Sequence, residues 1–145
     1  MASQVYNEFK RANAAGEIDL NADDIRVQLM MTNTTCDTEN DAIVNLADFT
    51  TLDEMDGAGY VVKALANEAV NKDDTNDRAE FDADDLTWSS LSNGTRDVAG
   101  ALVYKHVDGT DANDIVIAWV EFAAPVAPGG GDLTIQWNAD TTTTV

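Results

Sequence analysis

The chain has 145 residues, of which 27 are acidic and 8 basic, with a single histidine and a formal net charge of −19. Such a charge repels phosphate backbones and anionic lipid, only Lys10 and Arg11 are adjacent cations, and no apolar run approaches the roughly 20 residues needed to span a bilayer. The expectation is therefore no nucleic acid and no membrane partner; the lone Cys36 excludes an intrachain disulfide, and the length fits one domain with a core of its own.

Met1 to Ala15 reads as a short helix, with Ser3 as its cap, Val5, Phe9 and Ala12 on an apolar stripe, Tyr6 beside it and Gly16 at its end. Asn7, Glu8 and Lys10 interrupt the apolar residues, so the segment is not a signal peptide and synthesis in a cytoplasm is expected. Ile25 to Thr32 alternates with period two and is a strand. Asn33 to Asp41 is a polar loop. In Ile43 to Met55 the residues Leu46, Phe49, Leu52 and Met55 recur every third position, the spacing of helical turns that cover one end of a sheet. After a turn at Asp56 to Gly59, a strand from Tyr60 to Leu65 continues, with a kink or bulge, as far as Val70.

Asn71 to Asp77 reads as an acidic loop, Ala79 to Ala83 as a strand with one wet face, Leu86 to Trp88 as a short strand and Ser89 to Gly94 as a turn. Arg96 to Val107 and Asp114 to Phe122 then form a hairpin across the polar turn Asp108 to Asn113. Both faces of both strands are apolar, so the hairpin must be covered on each side by a second sheet, a helix or another subunit. Pro125, Pro128 and Gly129 to Gly131 make a linker excluded from any central strand, and Leu133, Ile135 and Trp137 alternate on a last strand.

Six or seven strands, with no repeated helix between them, indicate a mainly β fold: a two-layer antiparallel β-sandwich with a short N-terminal helix and a helical connection, jelly-roll topology being one option. Residues 1–145 form a single β domain, with 1–15 a docking arm and 139–145 a flexible tail.

No catalytic constellation emerges. Asp77, Asp82, Asp84 and Asp85 come nearest to a compact oxygen cluster for calcium, yet they lack the central glycine and final glutamate of a calcium loop. One cysteine and one histidine do not make a structural zinc site, and neither Cys36 nor His106 has an activating context for nucleophilic catalysis. The expectation is no enzyme and no cofactor. Tyr6, Phe9, Arg96, Tyr104 and Trp119 are the candidates for an assembly interface, Arg96 being the cation expected to pair with a buried or interfacial carboxylate. An exposed Trp88 or Tyr104 would be the platform of a carbohydrate-binding module.

Certain motifs follow one another along the chain: Tyr6-Asn7-Glu8-Phe9-Lys10, Ile25-Arg26-Val27-Gln28-Leu29, Gly57-Ala58-Gly59-Tyr60, Phe81-Asp82-Ala83-Asp84-Asp85-Leu86-Thr87-Trp88, Arg96 with Gly100-Ala101-Leu102-Val103-Tyr104, Ile117-Ala118-Trp119-Val120-Glu121-Phe122, and Gly131-Asp132-Leu133-Thr134-Ile135-Gln136-Trp137-Asn138. Over nearly the whole chain this set resembles a widespread group of small virion structural proteins of tailed bacteriophages. The resemblance implies a capsid decoration or cement protein on the outer capsid surface. Its partners would be the major capsid protein and further copies of itself, as trimers near threefold positions. A tail, head-fibre or connector component is the nearest rival, followed by a carbohydrate- or calcium-binding β module. The ending Thr141 to Thr144 departs from the group, whose chains would stop soon after the Trp137 strand.

Overall fold

The computed structural model describes residues 3–137. The chain is mainly β, with antiparallel sheets and one short helix, layered in the manner of a β-sandwich. In order, the elements are β1 (Gln4–Val5), α1 (Asn7–Ala14), β2 (Ile25–Met31), a 3₁₀ turn (Leu46–Asp48), β3 (Lys63–Ala64), β4 (Ala69–Asp73), β5 (Arg78–Asp82), β6 (Leu86–Leu91), β7 (Val98–Lys105), β8 (Ile115–Val126) and β9 (Gly131–Ile135). A five-stranded sheet has the order β1-β8-β7-β2-β3, and β4-β5 and β6-β9 are two-stranded ribbons. The second layer is thus a ribbon, where a jelly roll would have a four-stranded sheet.

The β7-β8 hairpin lies at the centre of the large sheet, and this chain covers both of its faces. Ile25, Val27, Leu29, Ala101, Val103 and Ile117 pack with Phe9 and Ala12 of α1 and with Trp88, Leu133 and Ile135 of the β6-β9 ribbon. Met30, Leu102, Tyr104, Val116 and Trp119 pack with Tyr6 and with Cys36, Ile43, Leu46 and Phe49 of the long 33–55 connection. Of the three coverings expected, a helix and a ribbon close one face and a loop with a single helical turn closes the other.

Strict alternation fails inside the hairpin. The register shifts between Val98 and Gly100 and again between Val103 and Tyr104. Val98 therefore joins Ala101 and Val103 on one face, and Trp119 leaves Ile117 for the opposite face. The second shift adds one residue to β8 and the first adds three, and an odd number of extra residues reverses the pairing of faces beyond it.

Several boundaries differ from the sequence reading. The helix starts at Asn7, because Gln4 and Val5 pair with Trp119 and Ala118 of β8. Ser3 is no cap: its Oγ accepts a bond from the Glu121 N–H at 2.9 Å, and Tyr6 takes the N-cap position without a side-chain bond. The strand expected from Tyr60 to Val70 is interrupted at Asn67, whose φ of 55° turns the chain. Half of the expected acidic loop is strand, since Asn71 to Asp73 pair with Glu80 to Arg78. Of the turn expected from Ser89 to Gly94, the first half is the rest of β6, bulged around Ser90 at a φ of 53°, and only 92–94 lie outside a strand.

Pro125 lies within β8. Glu121 pairs with Gly100 and Val126 with Val98, so Phe122 to Pro125 bulge opposite Ala99 alone, and a residue without an N–H interrupts no ladder there. The tail expected at 139–145 lies outside the described residues.

Candidate functional site

The residues expected at an assembly interface separate into two groups. Tyr6, Phe9, Tyr104 and Trp119 are each at most 3% exposed and belong to the core. The leading segment is docked on the chain's own sheet, where the Tyr6 hydroxyl donates to the Cys36 carbonyl at 2.6 Å and the Tyr6 ring meets Phe49 edge-on. Aromatic and apolar residues on strands are consistent with either a core or an interface; here the layers of one chain are enough to bury them. Arg96 is the exception. It reaches solvent and grips Asp53, whose side chain is nearly buried and which also accepts the Asn33 N–H at 2.8 Å. Asp53 holds a φ of 56°, so this ion pair pins a strained corner between β2 and the 53–59 turn. Trp88 and Tyr104, the platform expected for sugar stacking, are both buried.

Many of the carboxylates serve the chain's own loops. Asp48 accepts the Val44 and Asn45 N–H groups, closing a capping box around the 3₁₀ turn. Glu39 accepts Thr50 N–H and the hydroxyls of Thr35 and Thr50, joining the two ends of the 33–52 cover. Asp56 takes both the N–H and the hydroxyl of Thr95, while Asp132 holds the Ser90 N–H. The proposed calcium ligands diverge in the same way: Asp82 accepts Ala83 N–H, Asp84 accepts Asn67 Nδ2, Asp85 accepts Trp137 N–H, and Asp77 occupies a left-handed turn position. Among the described residues no three His, Cys, Asp or Glu side chains gather as a metal site.

This arrangement sets the pH response. Hydrogen bonds from Arg96, Thr95, Thr50 and Asn113 hold Asp53, Asp56, Glu39 and Asp108 respectively below the usual carboxylate range. Their contribution to stability is full above the unfolded-state values and is lost as pH falls through the lower folded values. Glu54 has the opposite sign, because burial raises it and its charge opposes folding at neutral pH. The melting temperature is expected to hold or rise as pH falls from about 7 to about 5, as Glu54 and the net charge are relieved, and to drop below about pH 4 as the loop carboxylates protonate. Scanning calorimetry across that range checks this; a fall beginning at pH 6 would count against it.

At the other end of the sheet, Asp114 is buried and accepts Val107 N–H at 2.8 Å, Asp108 N–H at 3.4 Å and faces His106 Nδ1 at 2.9 Å. Its carbonyl also receives the Leu46 N–H. One carboxylate thus closes the hairpin turn and ties it to the 33–55 cover. His106 is engaged here, whereas Cys36 is buried with its thiol pushed up to about 12 by desolvation, so the two do not form a nucleophilic pair. Replacing Asp114 by alanine leaves donors without an acceptor and is expected to cost about 2 kcal/mol in urea unfolding. A loss below about 0.5 kcal/mol would mean that solvent replaces the carboxylate freely.

Tyr60 has a role that no sequence pattern signals. Its hydroxyl accepts the Leu29 N–H at 3.2 Å and donates to Glu54 at 2.8 Å, completing the edge of β2 where no strand carbonyl is present. The Asn45-x-x-Asp48 box is by contrast visible in the sequence as a capping pattern. A surface hollow of about 420 Å³ lies between the end of α1 and the β4-β5 ribbon, floored by Ile18, Leu20, Val70 and Ala79. Another of about 370 Å³ lies on the 38–48 cover beside Glu39, Asp41 and Asp48.

No helix among the described residues is long and apolar enough to cross a membrane. Comparison with protein-family models, curated proteins and solved structures gives no match for this chain.

Proposed function

We propose that this protein is a structural component of a bacteriophage virion that binds and stabilises the outer capsid shell as a decoration or cement protein. The ordered motif resemblance suggests the setting. The observation that carries the reading is the use of the acidic residues: they hold long loops in place while the chain retains a net charge of −19. Stapled loops present a defined contact surface at little ordering cost on binding, and a strongly negative exterior opposes clumping of particles. The partner would be the major capsid protein, and the role is assembly without chemistry.

Add-back to shells stripped of the protein tests this. Saturable rebinding and a raised shell melting temperature are expected, with density distributed over the whole lattice in image reconstructions. Absence of shell binding rejects the reading, and density confined to one particle axis transfers the protein to the tail, head fibre or connector.

A further inference from the structure

We propose that Asn93 and Gly94 form a self-modifying site, at which the folded chain converts the Asn93 amide to a carboxylate with water as the only co-reactant. They are the only Asn-Gly step in the sequence and lie in the short connection between β6 and β7, with Asn93 exposed. Such a step closes on itself readily because glycine places no side chain between its own nitrogen and the asparagine Cγ. Crowding at 94 favours that glycine. A Cβ there would lie 2.6 Å from Asp56 Oδ1, 2.8 Å from Met31 Sδ and 2.9 Å from Met55 Sδ, and Asp56 is itself held in place by Thr95.

The fold arranges the loop for ring closure. Asn93 Oδ1 accepts the Gly129 N–H at 2.7 Å, which puts a donor on the oxygen where negative charge gathers as the nitrogen adds to Cγ. The same bond fixes the amide so that Nδ2 is its other arm. Among the described residues neither Nδ2 nor the Gly94 N–H has a hydrogen-bond partner, so leaving group and nucleophile are both untied. Their neighbours are anchored instead, the Ser92 N–H on the Ala58 carbonyl at 2.9 Å and the Thr95 N–H on Asp56 Oδ1 at 2.7 Å, which confines the reacting pair to a short span.

The chemistry balances without an oxidant or reductant. Hydroxide takes the Gly94 proton, the nitrogen bonds to Cγ, the Cγ–Nδ2 bond breaks and the amide nitrogen leaves as ammonia. Water then opens the cyclic imide. Attack at Cγ gives aspartate, and attack at the backbone carbonyl gives isoaspartate, with one more main-chain atom between the Ser92 and Thr95 anchors. Of the charged groups around the loop, Asp56 is engaged by Thr95, Asp132 by the Ser90 N–H and Arg96 by Asp53, and Asp97 is exposed. Their hydrogen bonds keep Asp53 and Asp56 ionised, so the alkaline pH dependence comes from the proton on the Gly94 nitrogen. The inference is independent of what the protein binds.

Incubation of the full chain in neutral and in mildly alkaline buffer, folded and in urea, followed by peptide mapping in a mass spectrometer, tests it. Conversion of the amide at 93 ahead of every other asparagine is expected, with release of ammonia, a rate that rises with hydroxide, and a folded-state rate within about tenfold of that in urea. Asn93→Gln would need a six-membered ring and should abolish the conversion with the circular dichroism spectrum unchanged. Protection of Asn93 in the folded chain by well over tenfold, earlier conversion of another asparagine, a rate indifferent to hydroxide, or continued ammonia release at the same rate from Asn93→Gln overturns the proposal.

Discussion

Replacing Trp88 by alanine is expected to lower the stability of the protein by about 4 kcal/mol. Trp88 is 1% exposed and lies on β6, between the large sheet and the β6-β9 ribbon. Its ring stacks on Tyr60 at 6.4 Å between centroids, and its Nε1 donates to the Val61 carbonyl at 2.7 Å, so one side chain joins the ribbon to the 60–62 segment that precedes β3. Alanine removes the packing of a large ring and leaves the Val61 carbonyl without its donor. Trp88→Phe retains much of the ring but not the N–H and should lose about half as much. Urea unfolding followed by far-ultraviolet circular dichroism measures both. An alanine variant within 1 kcal/mol of the wild type would mean that the ribbon is held by Leu86, Leu133 and Ile135 alone.

Gly100→Ala is expected to cost about 3 kcal/mol or more. A Cβ at this position would lie 2.4 Å from the Val120 carbonyl oxygen and 2.6 to 2.7 Å from two atoms of the Trp119 ring. Gly100 lies on the central strand opposite Glu121, two residues from Leu102, which pairs with Trp119, so alternation along the two strands puts the Trp119 ring on the same face. The added methyl therefore forces the ring, the backbone, or both to move in a closely packed region. Combining it with Trp119→Leu should recover only part of the loss, because the carbonyl oxygen stays in place whatever side chain follows it. Full recovery would show that the ring is the only obstacle.

Much of the fold is legible in the sequence. Alternation in Ile25 to Met31, the doubly apolar hairpin and the Leu133-Ile135 pair mark strands that must be buried, and the fixed spacing of Leu46, Phe49 and Met55 marks a lid. What escapes is decided by single residues in unusual backbone states. Asn67 and Ser90 take left-handed φ values that local polarity does not announce, and the bulges in the hairpin reverse the faces that counting by twos assigns. The interface candidates fail for a different reason. Periodicity shows that Tyr6, Phe9, Tyr104 and Trp119 leave water, but not whether this chain or a neighbour receives them. Arg96 was readable because a lone cation beside a buried strand in an acidic chain needs a carboxylate, although only the folded chain identifies it as Asp53.

The sequence by itself determines that this chain is antiparallel, β-rich and strongly negative, because side-chain alternation and charge count are local properties that no later packing alters. Tertiary structure decided that the hairpin is closed on both faces by its own chain and that the acidic residues staple loops. Those outcomes depend on register and on which distant segments meet, and the free energy of burial is set by the assembled layers rather than by any one segment.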